Sequence, residues 1–226
     1  MIRNKNYMSP FQRLSLPSLY AILDPEQTRG SDPEAVLRQL LDGGAKIVQL
    51  RAKTMAPRDF LQLARSARSL SRSLDCRLII NDRADIALAC DADGVHLGQE
   101  DLPLHAARKI MGQKLIGIST HNEAQAVEAE RGGANYIGFG PMFGTMTKAT
   151  GYAARGVEML RQIRSAVRLP IVAIGGIKEE NVQEVWRAGA ESAAIISDIL
   201  GAEDVTAKTQ RIIALHSTAG RSMPMF

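Results

Sequence analysis

The sequence predicts an α/β fold, a single-domain (βα)8 barrel of the TIM type. Eight short apolar segments alternate with helical segments along the 226 residues, and eight strand–helix units in a chain of this length are typical of that barrel. Most of the apolar segments are nearly continuous, as expected for parallel strands covered on both faces. A doubly wound open sheet is the alternative. It usually has fewer strands and often a glycine-rich first turn, which residues 22–25 (Ile-Leu-Asp-Pro) do not provide.

The helices between these strands have recognisable start and stop signals. Residues 31–33 (Ser-Asp-Pro) offer a capping side chain and then proline at the first helical position, while Gly43 and Gly44 provide the stop. We expect the barrel to span residues 18–216, between an extension of residues 1–17 and a tail of residues 217–226. The predicted strands are 18–23, 45–51, 77–82, 94–98, 114–120, 136–140, 170–176 and 192–197, and further helical patterns cover 58–74, 122–133, 154–167, 179–190 and 202–216.

The composition excludes several classes of protein. Hydrophobic residues make up 45% and charged residues 23%, a normal globular balance, and the apolar runs are too short to span a bilayer. The net charge of +4 suits an anionic ligand, but the basic residues are spread along helices and aromatic residues are only 4%, so we expect no nucleic-acid partner. The N-terminus lacks the apolar core of a signal peptide. Two cysteines, Cys76 and Cys90, make neither a disulfide framework nor a metal cluster, so we expect a reducing, cytoplasmic setting.

Two carboxylates follow neighbouring strands of the predicted barrel. Asp82 comes directly after strand 3 and Asp101 just after strand 4, so both belong at the mouth where the carboxyl ends of the strands converge. Two carboxylates there repel unless a cation lies between them, and Mg²⁺ typically takes one or two carboxylates plus phosphate oxygens of a substrate. The alternative is that Asp82 pairs with Arg83 or a helix terminus and that Asp101 caps helix 4.

Strand 2 carries polar side chains where a strand should be buried. Alternation places Gln49, Arg51 and Lys53 on the same side. A buried arginine without a partner is costly, so an anionic ligand or an acidic group is expected nearby. A salt bridge from Arg51 to Asp82 across the sheet is the alternative.

The last four strands end in groups suited to a second anion. The loop 140–152 is rich in glycine and threonine and contains Lys148, which makes a good anion cradle. Strand 7 closes with Gly175 and Gly176, and strand 8 with residues 196–197 (Ile-Ser). Barrels commonly bind phosphate at the loops after strands 7 and 8, because glycine lets backbone N–H groups approach closely.

Two histidines lie near the predicted mouth. His121 follows strand 5 and is the best general-base candidate by residue type, although a capping or supporting role is equally compatible with its position. His96 lies inside strand 4, and we expect it to be a hydrogen-bonded residue of the barrel interior.

The motifs together resemble the thiamine phosphate synthase family over about residues 18–200. They are VQLRAK, IINDRADIALACDADGVHLGQED, IGIST, YIGFGPMF with the T and TK that follow it, VAIGGI and AIIS, all in order and at matching spacing. The resemblance implies an enzyme that joins a hydroxymethylpyrimidine pyrophosphate to a thiazole phosphate. It further implies a dissociative mechanism in which pyrophosphate leaves first and the thiazole nitrogen captures the pyrimidine carbocation.

The resemblance also assigns roles to individual residues. Asp82 and Asp101 would hold Mg²⁺ on the leaving pyrophosphate, and no general base is required, which lowers the expectation for His121. Catalytic roles fall to Arg51, Lys53, Ser119 and Lys148. The pyrimidine pyrophosphate would contact Gln49, Leu50, Arg51, Ala52, Lys53, Asn81, Ser119 and Lys148, and the thiazole phosphate would contact Thr145, Met146, Thr147, Gly176, Ile196 and Ser197.

This sequence departs from the family pattern at two places. The family commonly has proline where this chain has Gly144, and it has a proline before helix 6 where this chain has YAARG (152–156). A loop over 144–153 that closes on the substrates is a further hypothesis. A thiazole tautomerase of the same fold and a non-catalytic thiazole-phosphate binding protein are the competing functions. Retention of Arg51, Asn81, Asp82, Asp101 and Lys148 together favours the synthase. We expect small-molecule substrates, no membrane partner, and either a monomer or a homo-oligomer.

Overall fold

Eight parallel strands close into a barrel in the computed structural model, which describes residues 14–144 and 153–219. Each strand pairs with the next along the chain, and β1 pairs with β8, with Ala21 opposite Ile195. This closure confirms the predicted barrel and excludes the open sheet. The strands are β1 (Leu19–Leu23), β2 (Ile47–Leu50), β3 (Arg77–Asn81), β4 (Gly94–Leu97), β5 (Leu115–Thr120), β6 (Tyr136–Phe139), β7 (Ile171–Ile174) and β8 (Ser192–Ile195).

Helices follow the strands, and those that begin at Gly156, Val182 and Val205 start two or three residues after the predicted positions 154, 179 and 202. Asp32 caps α1 by accepting a hydrogen bond from Ala35 N at 3.0 Å, with Pro33 in the first turn. Asn122 caps α5 in the same way, through Gln125 N at 2.9 Å. The helices are α1 (Pro33–Asp42), α2 (Pro57–Ser73), α3 (Ala84–Ala89), α4 (Leu104–Met111), α5 (Glu123–Arg131), α6 (Gly156–Ala166), α7 (Val182–Arg187), α8 (Ser197–Leu200) and α9 (Val205–Ala219).

The end of the chain differs from the prediction in two details. β7 stops at Ile174, because Gly175 and Gly176 adopt φ values of 98° and 66° that no strand residue has. A separate short helix, α8, begins at Ser197, directly after β8. Both differences lie at the mouth of the barrel, where they shape the loops that the sequence assigns to phosphate.

Alternation along the strands divides the core into two layers. The inner layer fills the barrel and includes Tyr20, Ile47 and Tyr136. The outer layer packs the sheet against the helices and includes Val48 and Leu50. Successive residues of a strand face opposite sides of the sheet, so Gln49 and Arg51 lie on the same side as Ile47 and bring polar groups into the barrel.

The described residues contain no helix long and apolar enough to cross a membrane. Cys76 and Cys90 are both buried and free. Burial raises the pKa of the Cys76 thiol to about 12, so this sulfur stays protonated at neutral pH.

Candidate active site at the barrel mouth

A cavity of about 560 Å³ opens at the carboxyl ends of the strands. This volume is within the usual range for a small-molecule site. Seven of the residues that the sequence assigns to substrate line it, from both halves of the barrel: Gln49, Arg51, Asn81, Ser119, Gly176, Ile196 and Ser197.

The predicted carboxylate pair is assembled beside this cavity. The carboxyls of Asp82 and Asp101 lie close enough to interact, and Asp101 Oδ2 accepts a hydrogen bond from Gly98 N at 2.6 Å. Burial, and then the contact with Asp82, raise the pKa of the Asp101 carboxyl above its usual value. Lys53 Nζ lies 3.1 Å from Asp82 Oδ2 and supplies part of the missing positive charge.

Neither alternative for these aspartates matches the structure. Arg83 pairs with Asp85, with 2.8 Å between Nε and Oδ1, rather than with Asp82. Helix α4 begins at Leu104 with no side-chain cap, and Asp101 bonds Gly98 N instead of a helical N–H. The backbone explains the position of Asp82: its φ of 63° turns the chain just past β3, while its N–H continues the sheet by donating to His96 O at 2.8 Å.

The donor set beside the cavity suits a hard divalent cation shared with a substrate. The described residues contain no cluster of three or more His, Cys, Asp or Glu side chains that would make a closed protein cage. Two neighbouring carboxylates can supply one or two oxygen ligands to Mg²⁺, which then takes its remaining ligands from phosphate and water.

Arg51 pairs with a carboxylate that sequence reasoning missed. Its guanidinium donates to Asp24, at the end of β1, and not to Asp82 as the alternative proposed. The Asp24 side chain is 1% exposed and the Arg51 side chain 15% exposed, so the pair holds the guanidinium at the cavity wall. An acid directly after β1, adjacent to β2, is the signal that could have identified Asp24.

Five side chains form a hydrogen-bond chain across the barrel interior. Gln49 Nε2 donates to the Tyr20 hydroxyl at 2.9 Å, and that hydroxyl lies 2.8 Å from the Tyr136 hydroxyl. The ring of His96 continues the chain, with Nδ1 3.2 Å from the Tyr136 hydroxyl and Nε2 3.0 Å from Ser119 Oγ. This interior hydrogen-bond chain therefore joins the two predicted substrate residues Gln49 and Ser119, and it confirms His96 as a bonded interior residue.

The two tyrosines of this chain are further residues that the sequence reasoning missed. Burial raises the pKa of both hydroxyls, so both remain protonated donors. Gly117 makes the room, because a Cβ there would lie 2.1 Å from Cζ of the Tyr136 ring. The inward position of tyrosine on β1 and of glycine on β5 was visible in the sequence, but their contact was not.

The turns after β7 and β8 bring backbone to the other side of the cavity. A Cβ on Gly176 would lie 2.6 Å from Gly144 O, so only glycine allows this packing of the two loops. Asn181 Nδ2 holds the Gly176 carbonyl at 3.1 Å, which orients the turn. Ser197 opens α8 directly after Ile196, beside the same part of the cavity. Thr145, Met146, Thr147 and Lys148 lie outside the described residues.

The structure changes the roles expected for Leu50, Ala52 and His121. Leu50 and Ala52 are buried in the outer core, on the side of β2 opposite to Gln49, so their side chains do not reach the cavity and only their backbone could. His121 lines the cavity, but its Nδ1 bonds Gly140 O at 2.7 Å and its backbone N donates to Gln125 Oε1 at 2.8 Å. These bonds fit the supporting role for His121 rather than that of a general base.

Comparison with known proteins gives consistent matches. The model of the family described as thiamine monophosphate synthase matches residues 19–199. The thiamine-phosphate synthase of Chloroflexus aurantiacus is 46% identical over 199 residues, which cover 88% of this chain and 92% of that relative. The thiamine-phosphate synthase of Halalkalibacterium halodurans is 49% identical over 188 residues, covering 83% and 89%. A solved thiamine phosphate pyrophosphorylase from Pyrococcus furiosus has a TM-score of 0.83 at 37% identity, covering 89% of this chain and 96% of that chain.

Proposed function

The chain belongs to the thiamine monophosphate synthase family, and on that premise we propose how its barrel mouth joins two substrates. Its activity is that of a thiamine-phosphate synthase, and it is a transferase. The names of the relatives favour this activity over the tautomerase and the non-catalytic binding protein. We propose that the substrates are a hydroxymethylpyrimidine pyrophosphate and a thiazole phosphate, and that the products are thiamine phosphate and pyrophosphate.

The observation that carries the proposal is the close approach of the Asp82 and Asp101 carboxyls, with Lys53 against Asp82 and Arg51 on the wall of the neighbouring cavity. These two residues would hold Mg²⁺ together with oxygens of the pyrimidine pyrophosphate. When bound, Mg²⁺ would neutralise charge that develops on the leaving pyrophosphate.

Cationic side chains complete the pyrophosphate subsite. Arg51 faces the cavity with its guanidinium fixed by Asp24, so it is oriented before the substrate arrives. Lys53 lies against Asp82 and can contact both the carboxylate pair and a substrate phosphate. Positioned cations of this kind stabilise a leaving anion without a proton transfer, so the reaction would need no general base.

The interior of the barrel would hold the pyrimidine. Gln49 and Ser119 present polar atoms at the two ends of the interior hydrogen-bond chain, where they can bind the edge of a heterocycle. The apolar side chains of Ile22, Val172 and Ala194 line the same cavity. They exclude water, which would otherwise compete with the thiazole nitrogen for the carbocation.

The thiazole phosphate would lie against the turns after β7 and β8. Gly176, after β7, and Ser197, the first residue of α8 after β8, line the cavity from adjacent strands, where barrels commonly bind phosphate. In this proposal the phosphate would lie on the side of the cavity opposite to Asp82, and the thiazole ring would reach between the two anionic groups.

Substitution of Asp82 tests the proposal against a matched control. Asp82→Ala should abolish Mg²⁺-dependent formation of thiamine phosphate while thiazole-phosphate binding, measured by calorimetry, persists. Asp85→Ala makes the same change three residues away, at an exposed aspartate that pairs with Arg83. It should retain normal turnover. Full activity of Asp82→Ala, or equal loss in both variants, would refute the assignment.

A further inference from the structure

Two acidic residues lie directly behind the turns that we assign to the thiazole phosphate. Glu179 follows Lys178, which lines the cavity after β7, and Asp198 follows Ser197, which lines it after β8. Asp198 Oδ2 accepts a hydrogen bond from Glu179 N at 2.9 Å, so the two turns are linked to each other. A site for a phosphate dianion is a poor place for two carboxylates unless their charge is neutralised.

One lysine of α9 bridges both carboxylates. Lys208 Nζ lies 2.9 Å from Glu179 Oε2 and 3.0 Å from Asp198 Oδ2. Its side chain is only 13% exposed, and that of Asp198 16%, so solvent screens this pair less than a surface ion pair. Arg211 adds a second cation on Glu179, with 3.2 Å between Nε and Oε1, but it is 55% exposed.

We propose that Lys208 is a positioning residue of the thiazole-phosphate subsite. It ties the turns after β7 and β8 together from behind and cancels the negative charge that would repel the incoming phosphate. The four charged side chains of this cluster sum to zero, and removal of Lys208 alone leaves a net negative charge next to the subsite. The inference rests on the proposed function, because it assigns the cluster to one of the two substrates.

The proposal predicts substitutions with opposite effects. Lys208→Met should raise the KM for the thiazole phosphate about tenfold, since an uncompensated charge acts strongly at a partly buried site. The KM for the pyrimidine pyrophosphate and kcat at saturation should stay within about twofold, because that subsite lies across the cavity. Asp198→Asn keeps an oxygen to accept from Glu179 N and Lys208 but removes a negative charge, so it should lower the KM for the thiazole phosphate or leave it unchanged.

Two controls separate this role from a loss of structure. Lys114→Met removes another half-buried lysine, which pairs with Asp91 at 2.8 Å. Lys114 lies in the turn before β5, at the end of the barrel opposite to the mouth. It should leave both KM values unchanged. Lys208→Met combined with Glu179→Gln restores the charge balance and should recover most of the affinity for the thiazole phosphate. Melting temperatures of all variants would confirm that they fold.

The outcomes decide between the possibilities. A rise in KM for the thiazole phosphate in Lys208→Met, with no rise in Asp198→Asn, supports the proposal. An equal rise for both substrates, the same rise in Lys114→Met or Asp198→Asn, or no rise at all would overturn it. If the unaltered enzyme makes no thiamine phosphate, the proposed function fails, and the role proposed for Lys208, which rests on that function, is overturned with it.

Discussion

The Tyr136 hydroxyl lies at the centre of the interior hydrogen-bond chain, so its removal is the most informative single perturbation. It is 2.8 Å from the Tyr20 hydroxyl and 3.2 Å from His96 Nδ1. Tyr136→Phe breaks both bonds and changes little else, because the ring keeps its place beside Gly117. A buried hydrogen bond contributes about 1 kcal/mol, so two should lower the free energy of unfolding by about 2 kcal/mol. In a domain of this size that corresponds to a fall in Tm of about 4–8 °C.

The same change should reach the substrate through Ser119. The His96 ring loses one of the bonds that orient it, and its Nε2 is the partner of Ser119 Oγ at 3.0 Å. We expect kcat/KM for the pyrimidine pyrophosphate to fall about tenfold, or about 1.4 kcal/mol, while the KM for the thiazole phosphate stays constant.

Calorimetry and steady-state kinetics measure the two effects, and one control separates them. Ile163→Val, in the outer core of α6, should cost about 1 kcal/mol of stability with no change in either kinetic constant. An unchanged Tm together with an unchanged kcat/KM in Tyr136→Phe would refute the reasoning. A rise in KM for both substrates would show a general loosening instead.

Three further predictions follow from charge and backbone geometry. Asp101→Asn should abolish Mg²⁺-dependent turnover yet raise the Tm at pH 7, because the pKa of Asp101 is raised on folding and its ionisation therefore destabilises the folded protein as pH rises. This gain in Tm should vanish below about pH 4, where the carboxyl is protonated in both the folded and the unfolded state, and a series of Tm measurements over pH checks this. Asp24→Asn should lower kcat/KM for the pyrimidine pyrophosphate and lower the free energy of unfolding in urea by about 2 kcal/mol, because Arg51 loses its carboxylate partner. Unfolding curves equal to those of the unaltered protein would contradict this. Gly176→Ala should lower the free energy of unfolding by about 2 kcal/mol and raise the KM for the thiazole phosphate, because φ is 66° and the new Cβ meets Gly144 O; retention of both values would disprove the close packing.

The barrel could be predicted from the sequence because its evidence is local. Each strand is a short apolar run, and several helices have their own cap or stop, so eight local strand signals agree before any tertiary contact is known. The carboxylate pair followed from the same logic. Once Asp82 and Asp101 are placed at the carboxyl ends of adjacent strands, parallel geometry brings them together.

Features that depend on long-range contacts could not be predicted. Tyr20 and Tyr136 are 116 residues apart, and their hydroxyl contact depends on the space that Gly117 leaves. The partner of Arg51 was predicted as an acidic group or an anionic ligand, with Asp82 as the alternative, because strand order does not fix which nearby carboxylate its long side chain reaches. Lys208 was missed for the same reason, since it lies on a helix far along the chain from Glu179.

The assignment of Leu50 and Ala52 shows the limit of a resemblance. A family motif names a continuous stretch, but side chains of a strand alternate between the barrel interior and the outer core. Gln49 and Arg51 line the cavity, whereas the side chains of Leu50 and Ala52 pack in the outer core.

Turnover of the purified protein with both substrates, with and without Mg²⁺, tests the central claim most directly. Thiamine phosphate is read after oxidation to its fluorescent derivative, and pyrophosphate release is measured in parallel. We expect equal amounts of thiamine phosphate and pyrophosphate, formed only when Mg²⁺ is present. Product formation at the same rate after removal of all divalent cations, or thiamine phosphate without pyrophosphate, would contradict it.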